Sequence, residues 1–419
     1  MTSGSHRLSL TAFAVGFFFS FRAILAMISA RWLRLGSEPG VIASQAIEFA
    51  LLLVIAFQSI GPTARSLRWV TRQSTVRWVI IFLALSCSSL LWSATVSRLA
   101  SFLYWFALAA DVVTIMQLVR GGSVNEVAHS LMRGFIWSTC LLASIAWIMP
   151  ASTDLRLGDP DYFNTNQIGN LCALAILMAQ FLATRQDGKW KFTILFLIFT
   201  LLRSLSKATI LSFITGEALL LLYDNAMPRR KKVALALTAV LLVAAFWGLI
   251  ESYFDIYTTT GNQAETLTGR TAIWAYTLSV SLEKPWFGNG IDAMWKVFPP
   301  FGREMFEARH AENELLQQFF AYGVAGIIVL LGIYGSLYRR ILSLRRGPPK
   351  AVLIAIMLFI FVRGLAEAEP FDLLLPLWMI TLASCIVEDA EGAREKSEVS
   401  FGPAPRGFAA VAIPARGAR

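Results

Sequence analysis

Apolar residues run along this chain in blocks of about 17 to 25, broken by short polar stretches, with neither the strict alternation of a strand nor the one-sided stripe of a soluble helix. A block of that length crosses the hydrocarbon core of a bilayer as a helix. The pattern predicts helices near 8–28, 41–60, 78–94, 99–119, 131–149, 167–184, 191–206, 208–223, 233–250, 315–338, 351–366 and 371–387. The fold class is therefore an all-α polytopic membrane protein with about twelve spans, and the lack of ten-residue alternating segments argues against an outer-membrane barrel. Residues 191–223 also permit one broken or re-entrant pair around Arg203 to Lys207. The first block starts basic, as a signal peptide does, but Arg22 interrupts it and no small-residue cleavage site follows, so it is expected to stay as the first span.

Composition agrees. By length alone 419 residues suggest about three soluble domains, yet 56% of the residues are hydrophobic, 15% are charged and the mean hydropathy is +0.60. These values exclude a multidomain soluble enzyme, a disulfide scaffold and a disordered regulator. A net charge of +10 in a soluble protein would point to nucleic acid, but here the Lys and Arg mark orientation. They concentrate in 61–77 (Arg65, Arg68, Arg72, Arg77), 185–190 (Arg185, Lys189), 224–232 (Arg229, Arg230, Lys231, Lys232) and 339–350 (Arg339, Arg340, Arg345, Arg346, Lys350), all on one side together with 120–130. With that side cytoplasmic, four regions follow: helices over 1–250, one large periplasmic cap loop over 251–314 with short helices at 270–282 and 303–319, helices over 315–387, and a disordered cytoplasmic tail over 388–419.

Soluble-enzyme motifs are missing: there is no P-loop, no dinucleotide fingerprint and no nucleophile elbow. The only histidines are His6, His129 and His310, and Cys87, Cys140, Cys172 and Cys385 lie unpaired in apolar stretches, so neither a metal nor a cofactor is expected. The chemistry rests on ionisable residues near the outer helix ends, where charge is costly unless paired or functional. Arg203-Ser204-Leu205-Ser206-Lys207 suits phosphate oxygens, or simply snorkels to the interface. Arg270 opens a helix of the cap; a solvated charge is the bland alternative. Glu312 and Asn313 precede a helix entering the membrane, either as caps or as a working carboxylate and its neighbour, with His310 two residues earlier. Arg363 and Glu367, four apart, suggest an ion pair on one helix face.

Taken in order, these groups resemble the bacterial O-antigen ligase and O-antigen or exopolysaccharide polymerase superfamily over roughly residues 85–385. The matching parts are Leu91-Trp92-Ser93, Phe163 to Gly169 with Asn166, Ser204-Leu205-Ser206-Lys207, Gly269-Arg270-Thr271-Ala272-Ile273-Trp274, Pro285 to Gly290 with Trp295, and the spacing from Asn313 to Gly323 and Gly326. The Gly-Arg-Thr-x-Ile-Trp form and the Gly288 to Trp295 form are closer to the exopolysaccharide polymerase branch. Two positions depart from the family pattern: Glu312 stands where His is common, and Lys207 where Arg is common.

The resemblance implies a metal-independent inverting glycosyltransferase of GT-C type, multi-pass in the bacterial inner membrane, polymerising undecaprenyl-diphosphate-linked repeats at the periplasmic face. It implies diphosphate contacts from Arg270, Arg203 and Lys207, a base at Glu312 or His310, support from Asn313, Asn166, Arg363 and Glu367, and sugar stacking on Trp274, Trp286 and Trp295. Its partners would be the lipid-linked donor, a glycan or lipid A-core acceptor, membrane lipids, and a chain-length regulator and flippase, with no nucleic acid. A ligase acting on lipid A core is the near alternative. A transporter or flippase is the distant one, for which Arg22, Asp111 and Glu217 are the residues to watch near mid-membrane.

Overall fold

The computed structural model describes residues 3–58, 65–149, 156–184, 190–223, 228–237, 267–300, 308–368 and 376–400, apart from Pro160, Lys231, Leu235, Ala236 and Arg309. The predicted span 233–250 and the predicted loop 251–314 therefore lie partly outside the described residues, as does the tail beyond Ser400.

The described chain is all helix and connection. In chain order come α1 (Ser3–Phe21, running on through tighter and wider turns to Trp32), α2 (Glu38–Gln58), α3 (Ser74–Ser89), α4 (Arg98–Gly121), α5 (Val124–Ile148) and α6 (Thr165–Ala183). They are followed by α7 (Lys191–Ser204), α8 (Lys207–Tyr223), α9 (Leu267–Glu283), α10 (Glu314–Ser343), α11 (Pro348–Gly364) and α12 (Leu377–Ser400). Among the described residues, six helices are long and apolar enough to cross a membrane: Arg7–Trp32, α2, α4, α5, α6 and α10. Each predicted span except 233–250 coincides with a helix, because an apolar backbone in lipid has to bond within itself. Local signals set the ends. Ser97, Asn164 and Asn313 cap α4, α6 and α10 with side-chain oxygens, and the Pro348-Pro349 pair starts α11 where a missing N–H costs nothing.

The core is one cluster in which α6 is nearly all buried, flanked by α5, α7, α8 and α11. Of the basic connections, 61–77 and 339–350 meet at one end with the connection after α4. Arg65 pairs with Asp389 at 2.8 Å and its amide donates to the Arg120 carbonyl, Asn125 donates to Asp389, and Arg340 pairs with Glu388 and Glu391. This is the end that the positive-inside rule assigns to the cytoplasm.

Three expectations are corrected. The tail does not start at 388: α12 continues to Ser400, because Glu, Ala and Lys favour helix and the acidic turn at 388–391 has basic partners. The connection 120–130 shrinks to Gly122 and Ser123, with α5 starting at Val124. Part of the predicted helix 303–319 lies outside the described residues; among the described ones it starts at Glu314, since Glu312 is left-handed at φ 52° and Asn313 is extended. Residues 191–223 form two helices, α7 and α8, as the spans 191–206 and 208–223 predict, with the turn between them at Leu205, whose φ is 56°.

The polar residues proposed for a transporter are closed on one another. Arg22 donates to both oxygens of Asp111 at 3.0 and 2.7 Å, with Glu48 3.8 Å away, and Gln180 donates to Glu217 at 2.7 Å.

α10 is broken at Gly323, whose φ of 63° and ψ of −152° are not helical. A strap over 285–292, just after α9, lies in that break. Asn289 and Gly290 donate amides to the Phe320 and Ala321 carbonyls, both at 2.8 Å, while Val324 and Ala325 donate to the Pro285 and Trp286 carbonyls. Backbone groups orphaned by the break are thus satisfied by the strap. The strap's other edge binds the turn after α3: Ser89 Oγ accepts from the Ile291 amide, Ser93 Oγ donates to the Ile291 carbonyl, and Ser101 Oγ donates to Asp292 at 2.7 Å.

Candidate active site at the outer helix ends

The segments that hold the sequence-predicted residues meet opposite the basic end. Arg270, in the first turns of α9, donates Nη1 to the Ala366 carbonyl at 2.6 Å, which fixes its guanidinium beyond the end of α11. From there Nη2 lies 3.3 Å from Glu312 Oε2 and 3.6 Å from Glu367 Oε2. His310 Nδ1 is 3.6 Å from the other Glu312 oxygen. Asn313 caps α10 by accepting from the Leu316 amide at 3.1 Å, and its Nδ2 donates to the Leu365 carbonyl at 2.8 Å, tying the start of α10 to the end of α11.

Beneath these groups runs a chain of hydrogen bonds. Asn166 Nδ2 donates to Glu367 at 3.1 Å, Ser206 Oγ donates to Asn166 Oδ1 at 2.8 Å, and Arg363 Nε donates to Thr209 Oγ1 at 3.0 Å. Arg363 is fully buried. The structure so brings together Arg270, Glu312, His310, Glu367, Asn166, Asn313 and Arg363. Ser206 is the residue of the 203–207 run that bonds into this chain; Arg203 is half-buried and Lys207 exposed. Trp274 sits one turn after Arg270 on α9 and is partly buried, whereas Trp286 and Trp295 are exposed. Thr209 was not singled out from sequence, and Ser206 was named only within the 203–207 run; the Thr209 hydroxyl is legible only once Arg363 is seen beside it. Arg363 and Glu367 do not share a helix face, because α11 ends at Gly364; Glu367 lies beside Arg270 and Asn166 and still feels the charge of Arg363.

Burial, and then the neighbouring Glu312, push the Glu367 carboxyl up to about 7, against the pull of Arg363, Arg270 and His310. Below that value the Glu367 carboxyl beside Arg270 is neutral; above it, it is charged. Because the folded state holds this proton more tightly than an unfolded chain, Glu367 favours folding below the usual carboxylate range. That contribution is lost as the pH rises through about 7. An anion at Arg270 is thus expected to bind better at pH 6 than at pH 8, and Glu367→Gln should flatten the difference. Pyrophosphate binding to the purified wild type and variant at both values checks this; an unchanged pH dependence in the variant would remove Glu367 from the site.

His310, Glu312 and Glu367 each offer a ligand atom within 4.8 Å of the others, a set of the type that holds a metal ion. The Arg270 guanidinium already lies against both carboxyl groups of that set and supplies the positive charge a cation would bring.

A multi-pass helical membrane protein with cation, carboxylates and imidazole gathered at its helix ends is the class that fold and site define. Residues 192–331 match the family model described as O-antigen ligase, which shows the resemblance to the O-antigen ligase and polymerase superfamily. That stretch contains Arg203, Lys207, Arg270, His310, Glu312, Asn313 and the break at Gly323, while Asn166, Arg363 and Glu367 flank it. Over 325 residues the chain is also 23% identical to the exopolysaccharide production protein ExoQ of Rhizobium meliloti (strain 1021), covering 70% of this chain and 72% of that protein.

Proposed function

We propose that the protein is an inverting glycosyltransferase of the inner membrane that polymerises undecaprenyl-diphosphate-linked repeats into exopolysaccharide or O-antigen at the periplasmic face, without a metal. The observation that supports it most is the Arg270 guanidinium fixed between Glu312 and Glu367, with His310 beside Glu312. The acceptor hydroxyl oxygen attacks the anomeric carbon from the face opposite the diphosphate, and the carbon–oxygen bond to the diphosphate breaks with its electron pair. The hydroxyl proton passes to Glu312, or to His310, and undecaprenyl diphosphate leaves. Arg270 meets the charge that develops on the leaving group, and Arg203 and Lys207 would take further phosphate oxygens. Trp274, one turn from Arg270, would stack on a sugar face.

The similarity to an exopolysaccharide production protein favours a polymerase over a ligase acting on lipid A core. A flippase draws less support, because Arg22 and Asp111 are spent on each other. A chain-length regulator and a flippase would be working partners.

The test is polymer formation from a purified lipid-linked repeat. Glu312→Gln keeps the shape and loses the basicity, so a base there predicts a loss of about a hundredfold. Full activity in Glu312→Gln with none in His310→Ala moves the base to His310; full activity in both removes base catalysis from the proposal. Transfer to lipid A core without polymer would make the protein a ligase.

A further inference from the structure

α9 has two faces. Ile273, Thr277 and Ser281 are buried and hold the helix against its neighbours. A quarter-turn away Ala275, Leu278 and Leu282 form a stripe at spacings of three and four, exposed to 61% at Leu282. The stripe runs on into the strap, where Trp286 is 69% and Phe287 60% exposed, and across to Trp92, whose indole N–H donates to the Phe287 carbonyl and whose ring meets the Phe287 ring edge-on. Leu91, 78% exposed, extends the patch. Polar Ser279, Glu283 and Lys284 border the stripe.

The depth of this patch follows from the break in α10. The strap seats at Gly323, and Lys350 at the basic end donates to the Leu342 carbonyl. About 19 residues of helix separate Gly323 from Leu342, roughly 28 Å of rise. The hydrocarbon core is about 30 Å thick, so the strap lies at the opposite boundary, where aromatic side chains gather in membrane proteins. The other end of α9 is tied to the same side by Arg270 at Glu312 and Ala366.

We infer that the C-terminal half of α9 and the strap form an interfacial wedge, with Leu278, Leu282, Trp286 and Phe287 set among the outer-leaflet lipids at the boundary of headgroups and acyl chains. A helix with one apolar face, polar flanks and terminal aromatics is suited to that boundary. This rests on the outer placement of α9 in the proposed function. It makes lipid the partner of this face and gives Trp286 an anchoring role in place of the sugar stacking expected from sequence. Arg270, on the same helix, is then held at the level of lipid phosphates.

The test uses the full chain in lipid nanodiscs holding one copy each, without substrate, so that it stands apart from any assay of transfer. Spin labels are placed at Leu282→Cys, at Leu278→Cys as a second reporter should the first variant fold poorly, and at Ser279→Cys for contrast. Wild-type protein labelled in parallel sets the background from the four native cysteines. The labels at 282 and 278 are expected to show a several-fold higher ratio of oxygen to water-soluble nickel accessibility than the label at 279. Equal ratios at 282, 278 and 279 would overturn the wedge. Protection at 282 that occurs only in discs holding two copies would overturn it as well, and would give the stripe to a second copy of the chain.

Discussion

Gly323→Ala is expected to leave little folded protein. At φ 63° and ψ −152° an L side chain is strained, and a Cβ built there falls 2.5 Å from the Pro285 carbonyl oxygen and from the Trp286 backbone. Those atoms belong to a strap bonded on both edges, so nothing flexible is available to yield. Gly288, on the strap at φ 63°, meets the Ala321 and Phe320 backbone in the same way, also at 2.5 Å. The strain alone is of order 1–3 kcal/mol, and displacing the strap would also unpair the buried carbonyls of Phe320 and Ala321. Yield and thermal unfolding in detergent check this. A Gly323→Ala protein that melts with the wild type would mean that the strap does not sit in the break.

Arg270→Ala should remove a large share of the activity. The guanidinium donates to the Ala366 carbonyl and stands against Glu312 and Glu367, so its loss leaves two carboxyl groups facing each other with no cation between them. A diphosphate approaching that site would meet like charge instead of a donor. Losing one charge-assisted contact costs about 1.5–3 kcal/mol, or about tenfold to a hundredfold in rate, and the uncovered carboxylates act in the same direction. Arg270→Lys is expected to restore only part, since one ammonium does not reproduce a fork that holds a carbonyl and two carboxylates together. Polymer yield at matched expression is the measurement; near-normal polymer from Arg270→Ala would take the residue out of the mechanism.

Most of the helical frame was legible because hydropathy and basic connections report on the bilayer itself. Arg270, Glu312, His310, Asn166 and Glu367 could be named from motif order, although nothing in the sequence says that Arg270 reaches past α11 to the Ala366 carbonyl. What stayed hidden depends on pairing between distant segments. The strap looks like one more turn with Gly288 and Gly290, and its seat in α10 is visible only as a single glycine in an otherwise helical run. The Glu- and Ala-rich stretch after 388 has a composition shared by disordered tails and exposed helices, and the choice falls to Arg340 and Arg65, which lie far away in the chain.

Arg22 and Asp111 are 89 positions apart and each stands near the middle of its helix. Either charge alone at the bilayer centre costs about 2.5–3.5 kcal/mol on the insertion scale. During synthesis α1 is complete long before α4 emerges, so for that interval Arg22 has no Asp111 to meet. The N-terminal helix is therefore expected to be a poor independent anchor: its charge gains a first partner in Glu48 with α2 and its two-oxygen partner only when α4 arrives. The order in which the chain is made thus sets the order in which its helices can be committed to lipid.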